Sequence, residues 1–383
     1  MRTDVVVVGA GVVGAACAYF LARAGVRVTV VERGAVAGGT SGRGEGNLLV
    51  SDKPPGPELS LALRSLTLWT DLASTLDDFE YEAKGGLVVA STPDGLAALL
   101  RLADDQRRAG VSVESDVDLR SSEPHLRDGL AGGVFYPQDS QVQPMLAAAR
   151  LVHAAVGQGA SVRNGCTVTG VELDASGAVR AVRTSNGPIP TGAVLNAAGT
   201  WASSIASLAG VTVPVRPRRG FILVTEPLPA DTVRHKVYSA EYVADVASSA
   251  SDLQTSAVVE STRSGTVLIG ASRERVGFDA TFSLPVLARL AAQAVDLFPV
   301  LGAVHAIRAY YGFRPYSPDH LPIIGPDPRV PGLLHACGHE GAGVGLAPAT
   351  AELVTAAITG TAPPVDPDPF RPDRFDADSE ELP

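Results

Sequence analysis

The sequence predicts an α/β fold (α+β overall): a domain of βαβ type around a parallel sheet, with a mixed β-sheet domain inserted into it. Three observations predict this. The chain opens with a β-branched run, a glycine-rich turn and an Ala-rich helical stretch; the pattern changes to alternating strands between Gly220 and about Gly277; and buried-strand and glycine-turn patterns return near the C-terminus. At 383 residues, 45% of them hydrophobic, the chain can bury two cores rather than one.

Asp4 precedes Val5-Val6-Val7-Val8, the composition of a strand buried on both faces. Gly9-Ala10-Gly11-Val12-Val13-Gly14 leads into helical composition from Ala15 to Ala24. Gly25 stops that helix, and Val26 to Val31 reads as a second buried strand ending at Glu32-Arg33. This is a complete βαβ unit with the dinucleotide, or Rossmann, fingerprint inside it. Gly9 allows the tight turn, Gly11 lets the backbone approach a pyrophosphate, and Gly14 permits close helix–strand packing. The helix start, with Val12 and Val13 beside it, offers N–H groups and a partial positive charge to phosphates. Glu32 can accept hydrogen bonds from both hydroxyls of an adenosine ribose and would repel the extra phosphate of NADP. The fingerprint alone leaves FAD and NAD both open.

A second glycine cluster, Gly38 to Asn47, follows directly. So dense a loop is expected to be too flexible to serve the core, while its hydroxyls and N–H groups suit phosphate or ring contacts. Leucines at three- and four-residue spacing predict a helix from Glu58 to Leu76. Gly85 to Ser91 reads as a strand, Pro93 opens a helix to about Ala109, and Pro144 opens another toward Val156. Val168 to Arg183 alternates around Asp174-Ala175-Ser176-Gly177, a hairpin signature. Ala193 to Gly199 is a buried strand reaching a turn small enough for the chain to pass close to a cofactor. Strands are expected at Ala257 to Ser261 and Thr266 to Ala271, then a helix from Pro285 to Phe298. The tail from Pro363, rich in Pro and Asp, is expected to lie extended on the surface, with Asp378-Ser379-Glu380-Glu381 solvated.

Composition excludes several classes. A net charge of -10 points away from nucleic acid and from anionic membrane surfaces. Cys17, Cys166 and Cys337 form no CxxC pair, and the seven histidines show no metal spacing, so no metal is expected. No stretch is apolar and long enough to span a bilayer, and the N-terminus is unlike a signal peptide, which makes the cytoplasm the expected location.

The C-terminal block narrows the choice. Gly312-Phe313-Arg314-Pro315-Tyr316-Ser317-Pro318-Asp319-His320-Leu321-Pro322-Ile323-Ile324-Gly325 is followed by Cys337-Gly338-His339-Glu340-Gly341-Ala342-Gly343-Val344-Gly345. With the N-terminal unit and the turn at Asn196 to Gly199, this resembles the D-amino acid oxidase superfamily of FAD enzymes across almost the whole chain. Gly44-Glu45-Gly46-Asn47-Leu48-Leu49 and Gly338-His339-Glu340-Gly341 resemble one subgroup, which holds the flavin subunit of hydrogen cyanide synthase and the smaller opine oxidase subunit.

The resemblance implies a glutathione-reductase-like FAD domain (residues 1–80, 137–216 and 305–383) and a substrate domain roofing the flavin (81–136 and 217–304). It implies that Gly9, Gly11, Gly14 and Glu32, beside Arg33, hold the ADP part. Thr40, Ser41, Gly46, Asn47 and Leu48 would line the pyrophosphate-to-flavin stretch, and Val168 would meet the adenine side. Ala198, Gly199 and Trp201 would pass the cofactor, and Gly341 to Leu346 would cover the isoalloxazine. A helix is expected from Ala347 to Ile358, its N-terminus stabilising negative charge on the reduced ring. Arg314 would anchor a substrate carboxylate through two parallel hydrogen bonds. Tyr242 and Tyr238 stand where relatives place a tyrosine over the substrate, though each also reads as packing. His339 and Glu340 read equally as structural or catalytic; Arg263 and Arg273 could reach the pocket, although surface positions are the stronger reading. Cys337, in an expected buried strand, is not placed to attach FAD, so the flavin is expected to be noncovalent. The implied activity is hydride transfer from the carbon beside an amine nitrogen of an amino acid or related amine, without a dedicated protein base. An electron-accepting partner subunit and a non-catalytic flavin-binding protein are the alternatives.

Overall fold

The computed structural model describes residues 3–240, 242–243 and 249–375; the acidic end at 378–381 lies outside them. A six-stranded sheet runs in the order Ile323–Pro326, Leu333–Cys337, Ala193–Asn196, Val5–Val8, Val28–Val31, Ser161–Arg163. Its neighbours are parallel except for the antiparallel pair Ile323–Pro326 and Leu333–Cys337. The valine run is buried on both faces because both are covered. Val5 and Val7 pack into the cluster built by the helices Val12–Arg23, Pro144–Gly157 and Gly343–Thr359. Val6 and Val8 pack against the three-stranded sheet containing the expected hairpin, Val168–Leu173 and Val179–Thr184.

The second sheet has seven strands, in the order Ala306–Tyr316, Arg216–Thr225, Val267–Arg273, Gln254–Ser261, Lys236–Ser239, Gly86–Ala90, Gly132–Tyr136. It is mixed, since Lys236–Ser239 pairs parallel with Gly86–Ala90. Alternation divides its faces. Phe221, Leu223, Val259 and Ile269 pack under the helix Leu284–Leu297, while Gly220, Ile222, Gly312 and Arg314 line the opposite cleft. Three long-range features escaped the sequence reading. Ala306–Tyr316 pairs along Arg216–Thr225 in this second sheet, although its residues fall in a segment expected in the first unit. Its alternation is interrupted by Gly312 and Pro315, which hides a strand from pattern reading. Gly132–Tyr136 and Ser161–Arg163 are edge strands too short to show a period.

Two expectations are corrected. The glycine loop is pinned rather than loose: a Cβ on Gly42 would meet Ala37 O at 2.5 Å and one on Gly46 would meet Val142 O at 1.7 Å. These glycines are therefore demanded by backbone contact, not by mobility. The tail is also docked as far as residue 375, with Phe370 buried and Arg374 paired with Asp319 at 2.7 Å. Among the described residues, no helix is long and apolar enough to cross a membrane, and no cluster of His, Cys, Asp and Glu is placed to hold a metal.

Candidate functional site

A long cleft follows the carboxyl ends of Val5–Val8 and Val28–Val31 and continues beneath the seven-stranded sheet. Its first chamber, about 500 Å³, is lined by Gly9, Gly11, Glu32, Arg33, Val168 and Trp201. The second is lined by Val12, Val13, Ser41, Asn47, Tyr242 and Arg314, and by Gly341, Gly343 and Val344. Thr40, Ala197 and Gly199 line both, so the two chambers are continuous; Ala198 lines the first.

The first chamber is made largely of backbone. Gly9 has φ 106°, and a Cβ there would sit 2.6 Å from Ala197 O; a Cβ on Gly14 would sit 2.1 Å from Gly9 O. Gly14 thus serves the turn from behind rather than lining the cleft. Helix Val12–Arg23 has no capping side chain of its own, and its Val12 N–H donates to Ser41 Oγ at 2.9 Å. Its first turn therefore opens on the cleft with N–H groups and the positive end of its dipole. Glu32 Oε2 accepts from Ala10 N at 2.9 Å and Oε1 from Gly34 N at 2.8 Å. These bonds hold the carboxylate at the wall with acceptor capacity to spare. The Arg33 guanidinium lies 3.7 Å above the Trp201 ring at the mouth. An elongated slot with an open helix start midway and a fixed acid at one end has the donors and acceptors that the ADP half of FAD requires.

In the second chamber side chains take over. Gly220 faces Gly312 across the sheet. A Cβ on Gly220 would meet the Arg314 guanidinium at 2.2 Å, so this glycine makes the room the arginine occupies. Arg314 donates to Ser272 O at 2.8 Å, which is its one hydrogen bond among the described residues, and it has no carboxylate partner there. Burial, and Arg273 nearby, pull its proton affinity down. Tyr242 is 8% exposed and forms one wall. Tyr238 is corrected: it is fully buried behind Tyr242, edge-on at 5.0 Å, with its hydroxyl bonded to Ser51, which also bonds Asp139. Burial holds the Asp139 carboxyl up, to about 7.

The helix Gly343–Thr359 begins before the expected Ala347, so Gly343 and Val344 reach the cleft as its first turn. Pro348 inside it lacks the N–H that would bond Val344 O. Trp69 Nε1 donates to that oxygen at 3.1 Å and to Gly345 O at 3.2 Å. Leu48 and Leu346 are core residues; Gly46 and Gly345 pack on backbone; Ala342 borders a side chamber instead. Thr40 Oγ1 and Thr200 Oγ1 both donate to Phe313 O, at 2.7 and 2.9 Å, tying the turns that carry them to the strand Ala306–Tyr316.

His339 is buried against Thr350 Oγ1 at 3.0 Å, and burial pushes its imidazole down to about 3. Burial pushes the Glu340 carboxyl up, but His320 and Arg218 outweigh it and hold it below its ordinary range. Arg263 is exposed and paired with Asp78. Arg273, expected on the surface, is instead 5% exposed and lines the side chamber. Sequence reasoning also missed Lys236, which bonds Glu260 at 2.9 Å and Asn47, with Glu45 at 3.5 Å. Glu45 Oε1 is buried without a hydrogen-bond partner. Cys337 is fully buried at the cleft wall, its thiol pushed up to about 12 by burial.

Comparison with known proteins agrees with this geometry. The family model described as DAO, FAD dependent oxidoreductase, matches residues 4–357. The chain is 30% identical to the hydrogen cyanide synthase subunit HcnC of Pseudomonas aeruginosa, over 97% of this chain and 96% of that one. It is also 30% identical to the glycine oxidase of Pseudomonas putida, over 97% and 99%. The solved glycine oxidase of Geobacillus kaustophilus superimposes with a TM-score of 0.88 at 27% identity, covering 98% of this chain and 99% of that one. A backbone-built slot for a dinucleotide, a side-chain-built chamber beyond it and a family match over nearly the whole length lead to one conclusion: the chain belongs to the DAO family of FAD-dependent oxidoreductases, with FAD as its cofactor.

Proposed function

We propose that this enzyme oxidises the carbon beside the nitrogen of an amino acid or closely related amine to the imine, which water then hydrolyses. The observation that carries the reading is Arg314, a guanidinium set into the wall of the second chamber, tethered through a single N–H and lacking any carboxylate among the described residues. A tethered fork with free donors is a carboxylate receptor whose angle is already set.

Bound FAD supplies the hydride acceptor. It would be held by the Gly9–Gly14 turn, the Val12 and Val13 helix start, Glu32, Thr40, Ser41, Asn47 and the Gly341–Val344 turn, with Val168, Gly199 and Trp201 around its nucleotide end. Cys337 supports noncovalent binding, because a thiol held as high as about 12 is not a nucleophile near neutral pH. Arg314 orients the substrate by its carboxylate, and Tyr242 walls the chamber from the side of the second sheet. His339 stays neutral and bonded to Thr350, so it positions the turn before the helix rather than exchanging protons. The substrate then binds with its amine neutral, a state from which hydride transfer needs no dedicated protein base.

The test is product analysis. Incubation with amino acids should release ammonia, or the parent amine, together with the matching keto acid or aldehyde. Arg314→Met should lose this activity while keeping its flavin. Release of neither product from any amino acid or amine tried would overturn the reading. The likeness to a protein named as a synthase subunit favours one further reading, in which electrons pass to a partner chain. Activity with an artificial dye, absent with oxygen, would support it.

A further inference from the structure

The side chamber next to Arg314 holds more than a wall. Arg273 ends the strand Val267–Arg273; the residue is 5% exposed and borders this chamber. Tyr242, Arg314, His339, Glu340 and Gly341 line the chamber and the main cleft alike, so the two spaces meet at Arg314.

The charges around the chamber pair off and leave a remainder. Glu340 is taken by Arg218 and by His320, the latter at 2.9 Å. Asp52 is taken by Lys53 at 2.7 Å. The Glu58 carboxyl is held up to about 7, chiefly by burial. Arg273 has no hydrogen-bond acceptor and no carboxylate among the described residues; its guanidinium rests 5.0 Å from the Tyr242 ring centre. Arg314 has only Ser272 O. Burial and the nearby Arg273 disfavour the charge on Arg314, with Glu45 opposing them. Two buried guanidinium groups with no carboxylate in ion-pair range among the described residues are costly to keep without an anionic ligand.

We infer that Arg273 is a second anion subsite, and that the substrate is an amino acid bearing a second carboxylate, on its side chain or on its nitrogen. This rests on Arg314 being the anchor for the first carboxylate. A monocarboxylate satisfies Arg314 alone and leaves Arg273 buried and uncompensated. A dicarboxylate satisfies both, with Tyr242 packed beside the link between them.

The test measures binding first. FAD-loaded protein is titrated with acetate and propionate, then malonate, succinate and glutarate, following the shift in the flavin visible bands. At least one dicarboxylate should bind roughly ten- to a hundredfold more tightly than the monocarboxylates, as expected for one added charge-assisted contact. Arg273→Gln should bring the dicarboxylates down to the monocarboxylate level, and Arg273→Lys should restore part of the difference. In turnover, glutamate and aspartate test the side-chain position, and iminodiacetate the nitrogen position, each against alanine, glycine and sarcosine. Equal affinity for both ligand classes in the unaltered protein, or an advantage that survives Arg273→Gln, overturns the inference. Dicarboxylates that bind through Arg273 while no amine reduces the flavin would uphold the subsite and sink the amine-oxidation reading instead. Amino acids oxidised without regard to a second carboxylate would do the reverse.

Discussion

The two ends of the cleft are built on different principles. The nucleotide end is centred on one contiguous βαβ unit and its following loop, closed by Val168 and the turn from Ala197 to Trp201. It presents mostly backbone: N–H groups at a helix start, glycines at close approaches, and one acid pinned by two backbone bonds. The other end, where the proposed reaction would take place, is lined by Tyr242, Arg273, Arg314 and His339, far apart in sequence and on separate elements, and it presents side chains. Backbone machinery tolerates little change because its atoms have nowhere to move. Side-chain machinery can change without disturbing the fold, which is how one scaffold serves different substrates.

That contrast predicts the outcome of substitutions. The largest effect belongs to Gly14→Ala. Its Cβ would lie 2.1 Å from Gly9 O, so the βαβ turn must open. The variant should lose most of its flavin and about 1–3 kcal/mol of stability, read from the visible spectrum and from denaturant unfolding. Full flavin retention would break the distinction between the two ends. Next comes Arg314→Lys, which keeps the charge but loses the fork. kcat/KM should fall roughly a hundredfold with flavin content unchanged, measured by steady-state kinetics.

Smaller is Trp69→Phe, which removes the donor that serves Val344 O beside Pro348. It should cost about 1 kcal/mol, with a matching fall in melting temperature, and would sharpen the comparison by showing how far the helix start depends on a distant side chain. The effect on chemistry should be smallest for Asp139, away from the proposed reacting atoms. Its folded carboxyl is held at about 7, above its ordinary value of 3.8. The folded state therefore keeps a proton that the unfolded chain has already released between those values. Stability should fall as pH rises from about 4 to about 7, and Asp139→Asn should flatten that slope in unfolding curves.

The same contrast explains what the sequence made legible. Gly9, Gly11, Gly14 and Glu32 were readable because the turn, the helix start and the acid sit within one short segment whose spacing is itself the structure. Arg314 was readable only through resemblance, since nothing local says that Gly220 across the sheet makes room for it. Arg273 was read as a surface residue because strand pairing decides which face a side chain takes, and Val267–Arg273 aligns with partners distant in sequence. The glycine loop misled because glycine composition does not separate mobility from close packing. The early start of Gly343–Thr359 was obscured by its glycines and by Pro348, whose lost hydrogen bond is made good by a tryptophan in another helix.

The most direct test of the central claim is anaerobic reduction of the purified protein, watched through its visible spectrum, against glycine, sarcosine, proline, iminodiacetate, and D- and L-amino acids including aspartate and glutamate. The account predicts a yellow protein that is bleached by at least one of them and that releases its flavin on acid denaturation. A colourless protein that cannot be reconstituted with FAD, or a yellow one that none of these bleaches, would contradict it.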